Sequence, residues 1–156
     1  MLERIASLLK EKKLWIATAE SCTGGLIGHT LTNIPGSSEY YKGGIIAYSN
    51  EVKMKILGVK RETLESYGAV SEQTARQMAE GVKRVLETDV AIATTGIAGP
   101  GGGTKEKPVG LVYIGLATLE GVEARKFVFH GDRLQNKESF CNAALKMLLE
   151  YLEKLD

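Results

Sequence analysis

The sequence predicts an α/β fold in which a mixed sheet carries helices on both faces. Two observations carry that prediction. Short apolar runs of the doubly buried kind, at residues 14–19 and 89–96, are interleaved with segments of helical periodicity. Two further apolar runs, 109–119 and 122–130, flank Glu120 and Gly121, which read as a tight hairpin and make two strands antiparallel. A chain of 156 residues suits one domain, 1–156, whose core needs neither metal nor disulfide.

The elements follow in order. Leu2, Ile5, Ala6, Leu8 and Leu9 recur at helical spacing, so residues 2–12 read as an opening helix. Residues 14–19 form a buried strand, and residues 23–33 fit a helix closed by the turn residues of 33–38. Residues 43–49 read as a strand. Ser49 or Asn50 then caps a short helix that runs to Leu57 and stops at Gly58. Residues 61–68 make a second short helix ending in Gly68. Ser71 opens the clearest helix, with Ala75, Met78, Ala79, Val82 and Leu86 on one face. The strand 89–96 runs into a loop rich in glycine and proline, 96–108. After the hairpin, a last helix starts near residue 134, with Phe140, Ala144, Met147, Leu148, Tyr151 and Leu155 inward.

Bulk properties exclude several function classes. A net charge of +1 gives no electrostatic case for nucleic acid or an acidic membrane surface as partner. No apolar stretch is long enough to span a bilayer. The first residues are amphipathic and contain acids, so a signal peptide is not expected. Cys22 and Cys141 are the only cysteines, which suits a reducing cytoplasm. Neither they nor His29 and His130 have metal-ligand spacing, so no metal is expected.

The stretch Ala19-Glu20-Ser21-Cys22-Thr23-Gly24-Gly25 is the first that could carry chemistry. A buried strand passing directly into a helix puts Ser21 at the C-terminal edge of the sheet, where open α/β sheets hold ligands. Thr23, Gly24 and Gly25 would present N–H groups to an anion or an oxyanion. Spacing alone favours the plainer reading, in which Ser21 caps the helix. Cys22 is the rival nucleophile, but His29 lies about 10 Å further along a helix, too far to pair with it. Without a histidine partner a Ser-His-Asp triad has no support. A lysine whose pKa is lowered by burial can activate a serine instead, and Tyr48 and Lys53, at a strand end and in the next helical turn, could face one cleft. A half-buried tyrosine and a solvated lysine are the plain alternative. The loop after residue 95 is neither a Walker loop nor a dinucleotide fingerprint. Its glycines either let backbone N–H groups approach a phosphate or ribose, or make an ordinary surface loop. Arg133 either clamps a phosphate or pairs with Asp132 or Glu138.

Taken together and in order, residues 18–25, 43–59, 68–81, 94–115 and 129–133 resemble the C-terminal domain of the competence/damage-inducible CinA family. The resemblance covers nearly the whole chain. It implies a three-layer α/β/α sandwich with a mixed β-sheet, and a cytoplasmic nicotinamide-nucleotide amidase that needs no cofactor. The implied substrate is nicotinamide mononucleotide, hydrolysed to nicotinate mononucleotide and ammonia in pyridine nucleotide recycling. It also implies Ser21 as nucleophile, with Tyr48 and Lys53 as its proton-accepting partners. Thr23, Gly24, Asn50, Thr95, Gly96, Ala98, Gly99 and Arg133 are the implied substrate-binding residues. A homo-oligomer, a dimer, is implied as well. Family proteins with an added N-terminal molybdopterin-binding-like domain couple this activity to a pyrophosphatase, which is not expected here. The alternatives from other classes are a nucleotide-binding module without catalysis and a partner-binding module in competence or DNA damage.

Overall fold

β1 (Ile16–Glu20) is buried along its whole length, and the computed structural model, which describes residues 1–155, is organised around it. β2 (Tyr41–Ile46) and β3 (Val90–Gly96) flank it, both parallel to it. β4 (Leu111–Ala117) is antiparallel to β3, and β5 (Val122–Val128) is antiparallel to β4. The order β2-β1-β3-β4-β5 is the mixed sheet that the hairpin signal predicts.

The strands sort their side chains by size. Ile16, Val90 and Ile92 face one layer, formed by α1 (Leu2–Glu11), α2 (Leu26–Leu31) and α6 (Arg133–Lys154). Ala17, Ala19, Ala91 and Ala93 alternate with them and face α5 (Glu72–Leu86). α3 (Asn50–Lys55) and α4 (Arg61–Tyr67) lie in the polypeptide between β2 and α5, and Val52 and Leu64 pack on the same alanine-lined side. Small residues on that face let α5 come close. A Cβ on Gly115 of β4 would collide with the Ala75 carbonyl, and one on Gly81 of α5 with the Leu57 carbonyl. Helices therefore cover both faces of the sheet, giving the expected three layers.

Caps follow the sequence where the side chains can reach. Ser71 Oγ accepts from Thr74 N at 3.2 Å, and Ser49, not Asn50, caps α3 by accepting from Val52 N at 3.1 Å. The main departure is the start of α2. The sequence places it at residue 23, whereas residues 21–25 form a turn and the helix begins at Leu26, behind Gly25 with φ 106°. That left-handed backbone suits glycine and excludes a continuous helix from Ser21. Ser21 is therefore not the cap of α2. The turn residues 33–38 run into a single 3-10 turn, Ser37–Glu39, and β2 starts at Tyr41, two residues earlier than its sequence pattern suggests.

The topology singles out one crevice. From β1 the chain moves outward to β2, then crosses back to β3 on the other side of β1. The strand order thus reverses between β1 and β3, and their C-terminal ends open the crevice in which such sheets bind ligands. Ser21 follows β1 directly, and residues 97–103 follow β3.

Candidate active site

The turn after β1 is built around a buried carboxylate. Glu20 is 2 % exposed and accepts hydrogen bonds from Thr23 Oγ1, Gly25 N, Ile27 N and Gly28 N, at 2.7, 3.2, 2.9 and 3.0 Å. A carboxylate at the start of α2 satisfies donors that the helix itself leaves free. Thr23 Oγ1 also lies 2.9 Å from Thr94 Oγ1, tying the turn to β3. Ser21 N donates to Thr94 O, and Gly24 N closes the turn onto Ser21 O. The N–H groups of Cys22 and Thr23 make no hydrogen bond among the described residues. Of the three N–H groups expected to face an anion, those of Gly24 and Gly25 are occupied within the turn and that of Thr23 is free.

Lys53 approaches Ser21 from α3. It is 1 % exposed, and its Nζ lies 3.0 Å from Ser21 Oγ. The same Nζ donates to Ala47 O at 2.8 Å and Tyr48 O at 3.1 Å. These two carbonyls occupy two N–H bonds and leave the remaining tetrahedral position directed at the serine. Burial pulls the Lys53 ammonium below its ordinary pKa, and the neighbouring Cys22 pushes weakly the other way. A neutral Lys53 keeps both carbonyl contacts and turns a lone pair toward the Ser21 hydroxyl. The pattern of a solvated surface lysine, open at the sequence level, does not hold.

Cys22 is buried as well, and burial pushes its thiol up to about 12. It stays protonated at neutral pH and is no nucleophile. His29 and His130 are exposed. Among the described residues, no three His, Cys, Asp or Glu side chains come together as metal ligands would.

A cleft of about 280 Å³ opens over the dyad, lined by Ser21, Cys22, Tyr48, Asn50 and Lys53 on one side and by Thr95, Gly96, Ala98, Gly99 and Arg133 on the other. Apart from Thr23 and Gly24, it gathers every catalytic and substrate-binding residue that the resemblance implies. Thr23 is 1 % exposed, with its hydroxyl held by Glu20 and Thr94. Tyr48 is 63 % exposed, and its hydroxyl accepts from Arg133 Nη2 at 3.3 Å. Because Lys53 meets Ser21 directly, no relay through the Tyr48 hydroxyl is required. Arg133 Nη1 donates to Gly99 O at 2.6 Å, so this arginine pairs with neither Asp132 nor Glu138. Thr95 Oγ1 donates to Ala69 O and anchors the far wall.

The loop after β3 is held by a residue that the sequence reading passed over. Asn136 is fully buried, donates to Ala98 O and Gly131 O at 3.0 Å each, and accepts from Gly131 N at 2.9 Å. Its signal was an amide on the inward stripe 136, 140, 144, 148 of α6. Glu20 was the other omission, and its signal was an acid closing a doubly buried strand. With the loop so fixed, the N–H groups of Ala98 and Gly99 make no hydrogen bond among the described residues and border the cleft.

Residues 1–152 match the family model described as the CinA C-terminal domain. The chain is 57% identical over 154 residues to a CinA-like protein of Chloroherpeton thalassium, covering 96% of this chain and 37% of that protein. It is also 57% identical over 146 residues to a putative competence-damage inducible protein of Caldicellulosiruptor bescii, covering 94% and 36%. The chain thus spans little more than a third of the length of these relatives. Among solved structures, the competence/damage inducible protein CihA of Agrobacterium tumefaciens superposes with a TM-score of 0.94 at 43% identity, covering 97% of this chain and 93% of that one. A CinA superfamily protein of Klebsiella pneumoniae gives 0.95 at 32% identity, covering 99% and 96%.

Proposed function

The chain belongs to the CinA C-terminal domain family, and from that premise we propose that it is a serine amidase that hydrolyses the carboxamide of nicotinamide mononucleotide. The observation that carries this reading is the buried Lys53 Nζ at 3.0 Å from Ser21 Oγ, with its other contacts on two carbonyls. A nucleophile and a base within hydrogen-bond reach, with the base itself oriented, are the parts that acyl transfer requires.

The chemistry runs in two halves. Ser21 Oγ attacks the amide carbon while neutral Lys53 takes its proton. The carbonyl oxygen becomes an oxyanion, to which the free N–H groups of Cys22 and Thr23 are assigned as donors. Collapse of the tetrahedral intermediate breaks the C–N bond, Lys53 returns the proton to the departing nitrogen, and ammonia leaves. A nicotinoyl ester remains on Ser21. Water then attacks that ester, Lys53 accepts the water proton and passes it to Ser21, and nicotinate mononucleotide departs. Arg133 and the free N–H groups of the loop after β3 are assigned to the ribose phosphate. Tyr48 stands at the mouth as a partner of Arg133.

Incubating the protein with nicotinamide mononucleotide and measuring ammonia tests the reading. Ammonia and nicotinate mononucleotide should appear in equal amounts. A nucleotide that raises the melting temperature without any ammonia release would leave a binding module in place of an enzyme.

A further inference from the structure

Lys137 is the cation beside the cleft to which the proposed chemistry gives no task. Lys53 commits its Nζ to Ser21, Ala47 and Tyr48, while Arg133 gives one N–H of each terminal nitrogen to Gly99 and Tyr48 and keeps other N–H groups for a ligand, the task already assigned to it. Lys137 is half-buried, yet among the described residues it has no side-chain hydrogen bond and no ion pair. No buried side-chain nitrogen among those residues lacks a partner, so the ammonium of Lys137 reaches solvent.

The helix fixes where that ammonium stands. Arg133, Lys137 and Cys141 recur every fourth residue along one stripe of α6. At one end Arg133 touches Gly99 and Tyr48. At the other, Cys141 Sγ lies 3.6 Å from Thr30 Oγ1 of α2. Lys137, between them, stands over the turn that carries Ser21. Its Nζ is 3.8 Å from the point that a Cβ on Gly24 would occupy, and its charge is felt at the thiol of Cys22, which lines the cleft.

We propose that Lys137 and Arg133 form a two-cation subsite for the terminal phosphate monoester of the substrate. The proposal rests on the amidase reading for the identity of that substrate. Side chains four residues apart on a helix start about 5–6 Å from each other at Cβ, so two long cationic side chains on one stripe can converge on the oxygens of one phosphate. A monoester carries about −1.5 to −2 charges at pH 7, and two cations match it. The riboside has no charge to place there. A dinucleotide, whose two phosphates are joined by an anhydride bond and carry one charge each, has no terminal dianion. The subsite therefore selects mononucleotides against both. The bare backbone of Gly24 leaves the space beside the ammonium open.

Steady-state kinetics of Lys137→Met and Lys137→Arg on nicotinamide mononucleotide and nicotinamide riboside test the assignment. The Met variant should raise KM for the mononucleotide about tenfold or more relative to any change on the riboside, as expected for a charge-assisted contact, and the Arg variant should restore it. Equal effects on the two substrates, or none, would overturn the subsite. A second readout does not depend on turnover. Inorganic phosphate should raise the melting temperature of the native protein by more than it raises that of Lys137→Met. Should the protein release no ammonia at all, the amidase reading fails, while that difference in phosphate stabilisation still upholds the subsite. Equal phosphate stabilisation of both proteins removes Lys137 from it.

Discussion

Replacing Lys53 with Met is the most informative single perturbation of the dyad. The thioether fills a similar volume but cannot accept a proton, and among the described residues no other amine is hydrogen-bonded to Ser21. General-base catalysis contributes about 10²–10⁴ in rate, or roughly 3–5.5 kcal/mol at about 1.36 kcal/mol per decade. Turnover, followed as ammonia release, should fall by that factor. KM should change little, because Lys53 is 1 % exposed and moves protons during the reaction instead of holding the nucleotide. The pH dependence adds a signature that a purely structural lysine would not give. Burial lowers the pKa of the folded-state lysine below the ordinary 10.5. The native rate should therefore climb with pH through that lowered value, and the residual rate of the variant should lack this limb. Stability follows the same sign. Between the folded-state value and 10.5 the unfolded chain binds the extra proton, so the native fold gains stability as pH rises through this window and loses it as pH falls. Lys53→Met should show no such gain. A variant within tenfold of the native rate, or one that keeps the acid limb, would refute Lys53 as the base.

Four further outcomes follow from the site. Arg133→Ala should cost about ten- to a hundredfold more on the mononucleotide than on the riboside, from a charge-assisted contact of about 1.5–3 kcal/mol; equal losses would take Arg133 away from the phosphate. Ser21→Ala should abolish ammonia release while nucleotide binding, read by calorimetry, survives. Cys22→Ala should keep much of the activity, and a nicotinoyl adduct mapped to Cys22 in acid-quenched enzyme would overturn the assignment. Glu20→Gln sets an amide N–H₂ among four donors, at about 1–3 kcal/mol for an unsatisfied buried group. The melting temperature should drop by roughly 2–12 °C and kcat with it, and an unchanged melting curve would show that the carboxylate anchors nothing.

The sheet was legible in the sequence because its signals are local. Burial on both faces marks β1 and β3, and Gly121 after Glu120 marks the hairpin between β4 and β5. The long helices α5 and α6 announce themselves by periodicity. What could not be read was set by tertiary contacts. Nothing local distinguishes a helix beginning at Thr23 from a turn over 21–25; the buried Glu20 carboxylate decides it by gathering the N–H groups of Gly25, Ile27 and Gly28. Lys53 reads as a surface lysine because helical position alone does not reveal that the Ala47 and Tyr48 carbonyls turn its amine inward. Asn136 reads as a lapse in an apolar stripe until the Ala98 and Gly131 carbonyls are seen beside it. In each case a polar group looks misplaced along the chain and is matched only across it.

The parallel registers around β1 make the dyad a gauge of sheet assembly. Glu20 is paired with Ile46 on one side and with Thr94 on the other. Ser21 is the next residue after β1, and Lys53 returns to it from the helix beyond β2. A slip of either pairing by one residue displaces a strand by about 3.3 Å, more than the 3.0 Å that separates Nζ from Oγ. Ordinary backbone breathing leaves the contact intact, but mispairing at the β2 edge removes the base entirely. During refolding, recovery of turnover would therefore time the docking of an outer strand, an event that the central strands and their helices could precede without giving any activity.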